Sequence, residues 1–164
     1  MSLIAMYLKE LEYESIVTRK MLSLIPDDKF DWQPHPRSMT FRQLGTHIAE
    51  LPTWITIGLS TDELDFAQTP YQPKAINNTA ELLAYFEESL ADGRTHLIPE
   101  NEAKLAESWK LRAGDQIYMD ISKAEAIRNA LSQTIHHRAQ LGVFLRLLDI
   151  PIPGSYGPSA DEMM

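Results

Sequence analysis

The chain has 164 residues, of which 44% are hydrophobic, and we expect one domain over residues 1–164 that buries a sizeable core. It contains no cysteine, which excludes a disulfide framework, a thiolate zinc site and a thiol nucleophile of its own. A formal net charge of −8 argues against binding to nucleic-acid phosphates, and no apolar run reaches membrane-spanning length. The opening segment turns polar too soon for a signal peptide, so we expect a cytoplasmic protein with neither nucleic-acid nor membrane partners.

The first part of the sequence predicts two helices separated by a proline-rich loop. Apolar residues recur at helical spacing from residue 3 to about 24, and prolines and polar residues then predict a loop from residue 26 to near Thr40. A second apolar stripe predicts a helix from about 40 to 60. Pro52 lies inside it and removes one backbone hydrogen bond, so we expect a kink or a short break near Ala49.

The middle of the chain predicts a long connection, a third helix and a hairpin. Residues 61–77 lack regular apolar periodicity, and their acidic run at 62–65 is most simply a solvated loop. The third helix follows Asn78 and ends before Pro99. Apolar and polar residues then alternate over 109–119 around an Ala-Gly-Asp turn, which predicts a small hairpin.

The last long helix ends at Pro151, and the tail after it is too rich in proline and glycine for a fifth helix. Four main helices, one long connection and a short hairpin predict an all-α four-helix bundle with crossover connectivity. Three helix starts have the spacing in which a side chain accepts a hydrogen bond from the backbone three residues later. These pairs are Thr40 with Gln43, Asn78 with Glu81, and Ser122 with Glu125.

Polar residues interrupt two of the predicted core stripes. His47 lies among apolar residues of the second helix, with Trp54 about two turns along the same stripe as pocket lining. On the last helix, Gln133 and His137 are spaced i, i+4, which lets both side chains reach one atom. His136 is turned roughly 100° from His137, toward the flank or solvent. We therefore expect His47 and His137 to be buried and close enough to touch one metal ion, with Gln133 offering a carbonyl oxygen.

The spacing alone leaves a second interpretation open. A lone histidine on an apolar stripe is more often a core residue bonded to a carbonyl than a metal ligand. An isolated Gln-x-x-x-His pair also occurs by chance on many amphipathic helices. On the residues alone, this chain is either a helical protein with a metal site or a helical protein with polar core residues.

Three stretches of the chain together resemble the DinB/YfiT-like family of bacterial proteins. The specific parts are Leu-x-x-His ending at His47, His-His-Arg-x-Gln over 136–140, and Pro-x-x-Tyr-Gly-Pro-Ser over 153–159. The resemblance implies a four-helix bundle of unusual connectivity that is often dimeric. It also implies a divalent metal held by one histidine of the second helix and two histidines spaced i, i+4 on the last. The stretches that carry it lie at 32–51, 127–153 and 154–162.

Carried over residue by residue, His47 and His137 match two of the three metal ligands. Gln133 stands where the family has the third histidine, and His136 is a reserve ligand. An amide oxygen is harder than imidazole, so we expect zinc or nickel to bind more weakly here than at three imidazoles. Zinc, nickel or iron could still be held, with open positions for water.

The resemblance also implies a function, which is metal-activated transfer of a low-molecular-weight thiol to a small-molecule substrate in stress or detoxification. Arg138 or Tyr156 would then meet an anionic end of the substrate, and the alternative for Arg138 is a surface ion pair. Two alternatives remain: a binding or stress-response module that lost turnover, which Gln133 favours, and a metal-dependent hydrolase that activates water. We further expect a homodimer, with the apolar residues of the first helix as the candidate interface.

Overall fold

The structure, a computed structural model, describes residues 2–163. Within this range the fold is mainly helical, with five α-helices and a small three-stranded sheet. The helices are α1 (Leu3–Leu22), α2 (Phe41–Glu50), α3 (Thr53–Ser60), α4 (Thr79–His96) and α5 (Lys123–Leu147). The strands are β1 (Glu63–Asp65), β2 (Ser108–Ala113) and β3 (Gln116–Ser122). Two stretches of 3-10 helix cover Asp27–Lys29 and Pro99–Ala106.

The predicted helix starts are confirmed. Both halves of a capping box are present at Thr40 with Gln43, where α2 begins, and at Ser122 with Glu125, where α5 begins. The side chain of Asn78 accepts from the backbone N–H three residues later at the start of α4. These local hydrogen bonds satisfy backbone donors that a helix leaves free at its first turn.

The predicted second helix is broken at Pro52, between α2 and α3, as the missing backbone donor led us to expect. Helix α4 passes close to this break. A Cβ atom added to Gly93 of α4 would lie only 2.7 Å from the carbonyl oxygen of Pro52, so a glycine is needed at this contact. The break therefore lets α2 and α3 each pack against α4.

The helices pack with crossed connections. Helix α1 packs against α4 and α5, and α2 and α3 pack against the same two helices. The connections from α1 to α2 and from α4 to α5 therefore run between helices that are not principal neighbours. The crossover expectation is thus met in a mainly helical fold. The all-α four-helix bundle itself is not confirmed, because the second helix is divided and a sheet is present.

None of the helices in residues 2–163 is long and apolar enough to cross a membrane.

The sheet contains the predicted hairpin and one strand that the sequence analysis missed. Strands β2 and β3 are antiparallel around Gly114, whose φ of 57° suits glycine. Strand β1 pairs in parallel with β2, within the segment predicted as an irregular connection. The interpretation of residues 62–65 as a solvated loop is wrong for Asp65, which is buried and pairs with Arg112 at 2.9 Å.

Candidate metal site and adjoining cleft

His47 and His137 lie together where α2 packs against α5. Their ring centroids are 4.7 Å apart and their planes cross at 78°. Each bond from an ion to an imidazole nitrogen is about 2 Å long, so rings this close are candidates for ligands of one ion. Both rings are half-buried, not buried as predicted, and 23% of the His47 side chain remains exposed. The pair therefore has open space beside it that a ligand can reach.

Hydrogen bonds leave the same nitrogen of each ring free. His47 Nδ1 lies 2.7 Å from Glu50 Oε1, and His137 Nδ1 lies 2.9 Å from Gln140 Oε1. A carboxylate oxygen and an amide oxygen accept hydrogen bonds, so both Nδ1 atoms donate, and in the neutral form of each ring Nε2 keeps a lone pair. Burial lowers the pKa of His137 against the opposing effect of its bond to Gln140, and the neighbouring His47 and His136 also lower it, which favours the neutral ring that a metal requires.

Glu50 is a buried carboxylate that the sequence analysis did not single out. Its Oε1 accepts from the Tyr71 hydroxyl at 2.8 Å as well as from His47. Burial and the neighbouring Glu50 raise the pKa of Tyr71, so its hydroxyl stays protonated and remains a donor. A carboxylate behind a ligating histidine is a common arrangement at metal sites, because it fixes the tautomer and the ring orientation. The spacing of His47 and Glu50, i and i+3 on one helix, was the available sequence signal.

A cleft of about 640 Å³ opens beside His47. Trp54 lies in its wall, as predicted, together with residues from the α1–α2 loop, the long α3–α4 connection and β2. Its apolar lining residues are Met39, Trp54, Phe66, Pro73 and Leu111. Its polar lining residues are Arg37, Ser38, Gln43, His47, Glu50 and Tyr71. The cleft can thus accept an apolar molecule while its polar groups fix the orientation of that molecule.

A second depression of about 430 Å³ lies on the His137 side. It includes His137 and Gln140, and it shares Arg37, Ser38 and Met39 with the first cleft. The segment 37–39 of the α1–α2 loop therefore borders the open space next to both histidines.

Gln133 lies one helical turn before His137, and within residues 2–163 its side chain forms no hydrogen bond. It lines a shallow depression with Asn129, Ser132 and His136. His136 is exposed, consistent with its predicted direction, although its ring centroid lies 4.9 Å from that of His137. Among residues 2–163, no cluster of three or more histidine, aspartate or glutamate side chains is arranged to hold a metal. His47 and His137 are therefore the two imidazoles that the fold brings together here, and a third protein ligand would have to be an amide such as Gln133.

Arg138 and Tyr156 lie away from this cleft. Arg138 is buried and forms an ion pair with Glu14 of α1, with Nη1 and Oε2 at 2.6 Å. The Tyr156 hydroxyl donates to Glu14 Oε1 at 2.7 Å and accepts from Arg138 Nη2 at 3.2 Å. Neither residue lines the cleft beside His47. The Arg138–Glu14 pair is buried, and the exposed Tyr156 bonds to it from outside, which fastens the C-terminal tail to α1 and α5.

A model of the DinB family matches residues 1–164. The uncharacterized protein YrdA of Bacillus subtilis is 21% identical over 157 residues, which cover 95% of this chain and 89% of YrdA. Among solved structures, a DinB-like protein from Bacillus subtilis matches with a TM-score of 0.68 and 17% identity, covering 92% of this chain and 96% of that protein. A DinB-like protein from Bacillus cereus matches with a TM-score of 0.65 and 18% identity, covering 92% and 95%. These structural likenesses concern the fold.

Proposed function

Because the chain belongs to the DinB family, we propose that it is a metal-dependent enzyme that transfers a low-molecular-weight thiol to a small-molecule substrate. The observation that carries the proposal is the His47–His137 pair beside a largely apolar cleft. His47, His137 and Gln133 would hold a zinc, nickel or iron ion. Such an ion lowers the pKa of a bound thiol or water, and this supplies the nucleophile that a chain without cysteine lacks.

The residues around the pair have separate tasks in this proposal. Glu50 and Gln140 hold the two rings in the tautomer that presents Nε2. Trp54, Phe66 and Leu111 contact the apolar part of the substrate and exclude water from it. The cellular setting that accompanies this function is detoxification or stress response in the cytoplasm.

A second candidate function is a binding module without turnover. The observation that favours it is the amide of Gln133 at the position of a third imidazole, in a site without a further histidine or carboxylate ligand among residues 2–163. A weaker ion site would leave the cleft able to bind a small molecule but slow to activate a thiol. A third possibility is hydrolysis, in which the same ion would activate water instead of a thiol. Assays with ester or amide substrates distinguish hydrolysis from thiol transfer.

The decisive experiment is elemental analysis of protein purified without a chelator or a histidine tag, followed by a screen of thiols for metal-dependent conjugation. We expect bound metal and thiol turnover, both lost in His47→Ala and His137→Ala. His96→Ala is the matched control, because it removes a half-buried imidazole at the end of α4 that does not line the cleft. Stoichiometric metal without thiol turnover would favour the binding module, or the hydrolase if esters or amides are cleaved. Absence of metal would contradict the proposal.

A further inference from the structure

Arg37 differs from the other arginines of residues 2–163 in its charge environment. Each of the others forms an ion pair with an aspartate or glutamate. Arg37 forms no ion pair with any residue in that range, although the chain carries a net charge of −8. In an acidic protein, a guanidinium without a carboxylate partner among residues 2–163 is available to bind an anion.

The position of Arg37 connects this free charge to the cleft. It lines both the 640 Å³ cleft with His47 and the 430 Å³ depression with His137. A turn holds its backbone, since Arg37 N donates to His35 Nδ1 at 3.1 Å and Ser38 N donates to His35 O at 2.8 Å. The guanidinium is exposed, so binding an anion would not first require breaking another contact.

None of the other charged and titratable groups that line the cleft forms an ion pair with Arg37. Glu50 is the carboxylate among the lining residues, and its Oε1 is occupied by His47 and Tyr71. Tyr71 is a neutral donor, and His47 is the remaining titratable group. The apolar residues of the lining are large, and they include Trp54, Phe66 and Leu111. The cleft thus combines an apolar wall with one unpaired cation at its border.

From this arrangement we infer that the small molecule bound in the cleft is amphipathic, with an apolar body and a carboxylate that Arg37 binds. A planar guanidinium matches a planar carboxylate through two parallel N–H···O bonds, which a lysine cannot reproduce. The apolar body packs against Trp54, Phe66 and Leu111. This inference rests on the proposed function for the reaction that follows, but carboxylate recognition by Arg37 does not require the metal.

The test is isothermal titration calorimetry on the full chain after chelator treatment, with 1-naphthylacetate and its neutral analogue 1-naphthylacetamide as probes. We expect the carboxylate to bind roughly tenfold or more tightly than the amide, in line with the strength of charge-assisted pairs. Arg37→Gln should abolish the difference, and Arg37→Lys should restore only part of it. Lys20→Gln is the matched control, because it removes an exposed cation without an ion pair from α1, away from the cleft.

Several outcomes would overturn the inference. Equal binding of the two probes, no saturable binding of either, or a preference that survives Arg37→Gln would each do so. An equal loss in Lys20→Gln would also overturn it, since the preference would then reflect net charge alone. Circular dichroism and thermal unfolding establish that the exposed-loop variant is folded. The probes are bound without metal, so the calorimetry tests Arg37 even if the protein transfers no thiol. Likewise, the metal and thiol assays test the proposed function even if Arg37 binds no carboxylate.

Discussion

The hydroxyl of Tyr71 donates to Glu50 Oε1 at 2.8 Å, so the long connection between α3 and α4 is bonded to the side chain that orients His47. A side chain in that connection can therefore influence a histidine of α2 without touching it. This relationship leads directly to a first prediction about metal affinity.

Glu50→Gln should lower zinc affinity roughly 10- to 100-fold, the range found when the carboxylate behind a ligating histidine is changed. The amide no longer supplies a charged acceptor to His47 Nδ1. Tyr71→Phe should have a smaller effect in the same direction, because it removes only a donor to Glu50. Competition with a chromophoric chelator measures both. Glu88→Gln, an exposed residue paired with Lys74, is the control. An unchanged affinity in Glu50→Gln, together with a strong loss in His47→Ala, would contradict the role given to Glu50.

Gln133→His should raise zinc or nickel affinity by about an order of magnitude or more, because an imidazole would lie one turn before His137. His136→Ala should leave metal content nearly unchanged, since that side chain is exposed on the flank of α5. Equilibrium dialysis with elemental analysis gives both values. If His136→Ala abolishes binding and Gln133→His has no effect, His136 is the ligand instead of Gln133.

Arg138→Met and Glu14→Gln should each lower the free energy of unfolding by roughly 3–5 kcal/mol, because each leaves a buried partner without its counter-charge. The double variant should lose less than the sum of the two, since no unpaired charge remains. Urea denaturation measures all three. Additive losses in the double variant would show that the pair is not coupled.

Helix α1 should form the interface of a homodimer. Its outer face exposes Leu3, Met6, Tyr13 and Ile16, with exposed fractions between 44% and 52%. Sedimentation at protein concentrations of tens of micromolar should show a dimer that Ile16→Glu dissociates. Ile117→Glu, which changes an equally exposed apolar residue on β3, should leave the dimer intact. A monomer under these conditions would make the prediction wrong.

The features that sequence analysis predicted correctly depend on residues close together in the chain. Capping at Thr40, Asn78 and Ser122 involves partners three residues away. The break at Pro52 follows from a single missing donor. Capping spacings and prolines act over a few residues, so a single sequence is enough to predict them.

The features that sequence analysis missed depend on distant partners. Strand β1 has only three residues, and its pairing with β2 joins Glu63 to Lys110 and Asp65 to Arg112. No periodicity can appear in so short a strand. Arg138 was expected to meet an anionic end of the substrate. Its pairing with Glu14 was not foreseen, because Glu14 lies on another helix and the sequence contains no sign that the two meet.

In the candidate site, too, the residues on regular helices were predicted and those on irregular segments were missed. The meeting of His47 and His137 follows from two apolar stripes that face each other. Arg37 and Tyr71 lie in irregular segments, whose path cannot be derived from helical or strand periodicity. Only the three-dimensional structure shows that Arg37 and Tyr71 line the cleft.

The hairpin of β2 and β3 has a consequence for how this scaffold can diversify. Leu111 of β2 lines the cleft, whereas the turn at Gly114 has open space around it. Exposed turns tolerate changes in length and sequence far better than helices that form a core. Insertions or replacements in the hairpin could therefore reshape one wall of the cleft while α2 and α5 keep His47 and His137 in place. The same framework of α2 and α5 can thereby present different cleft walls beside an unchanged pair of histidines.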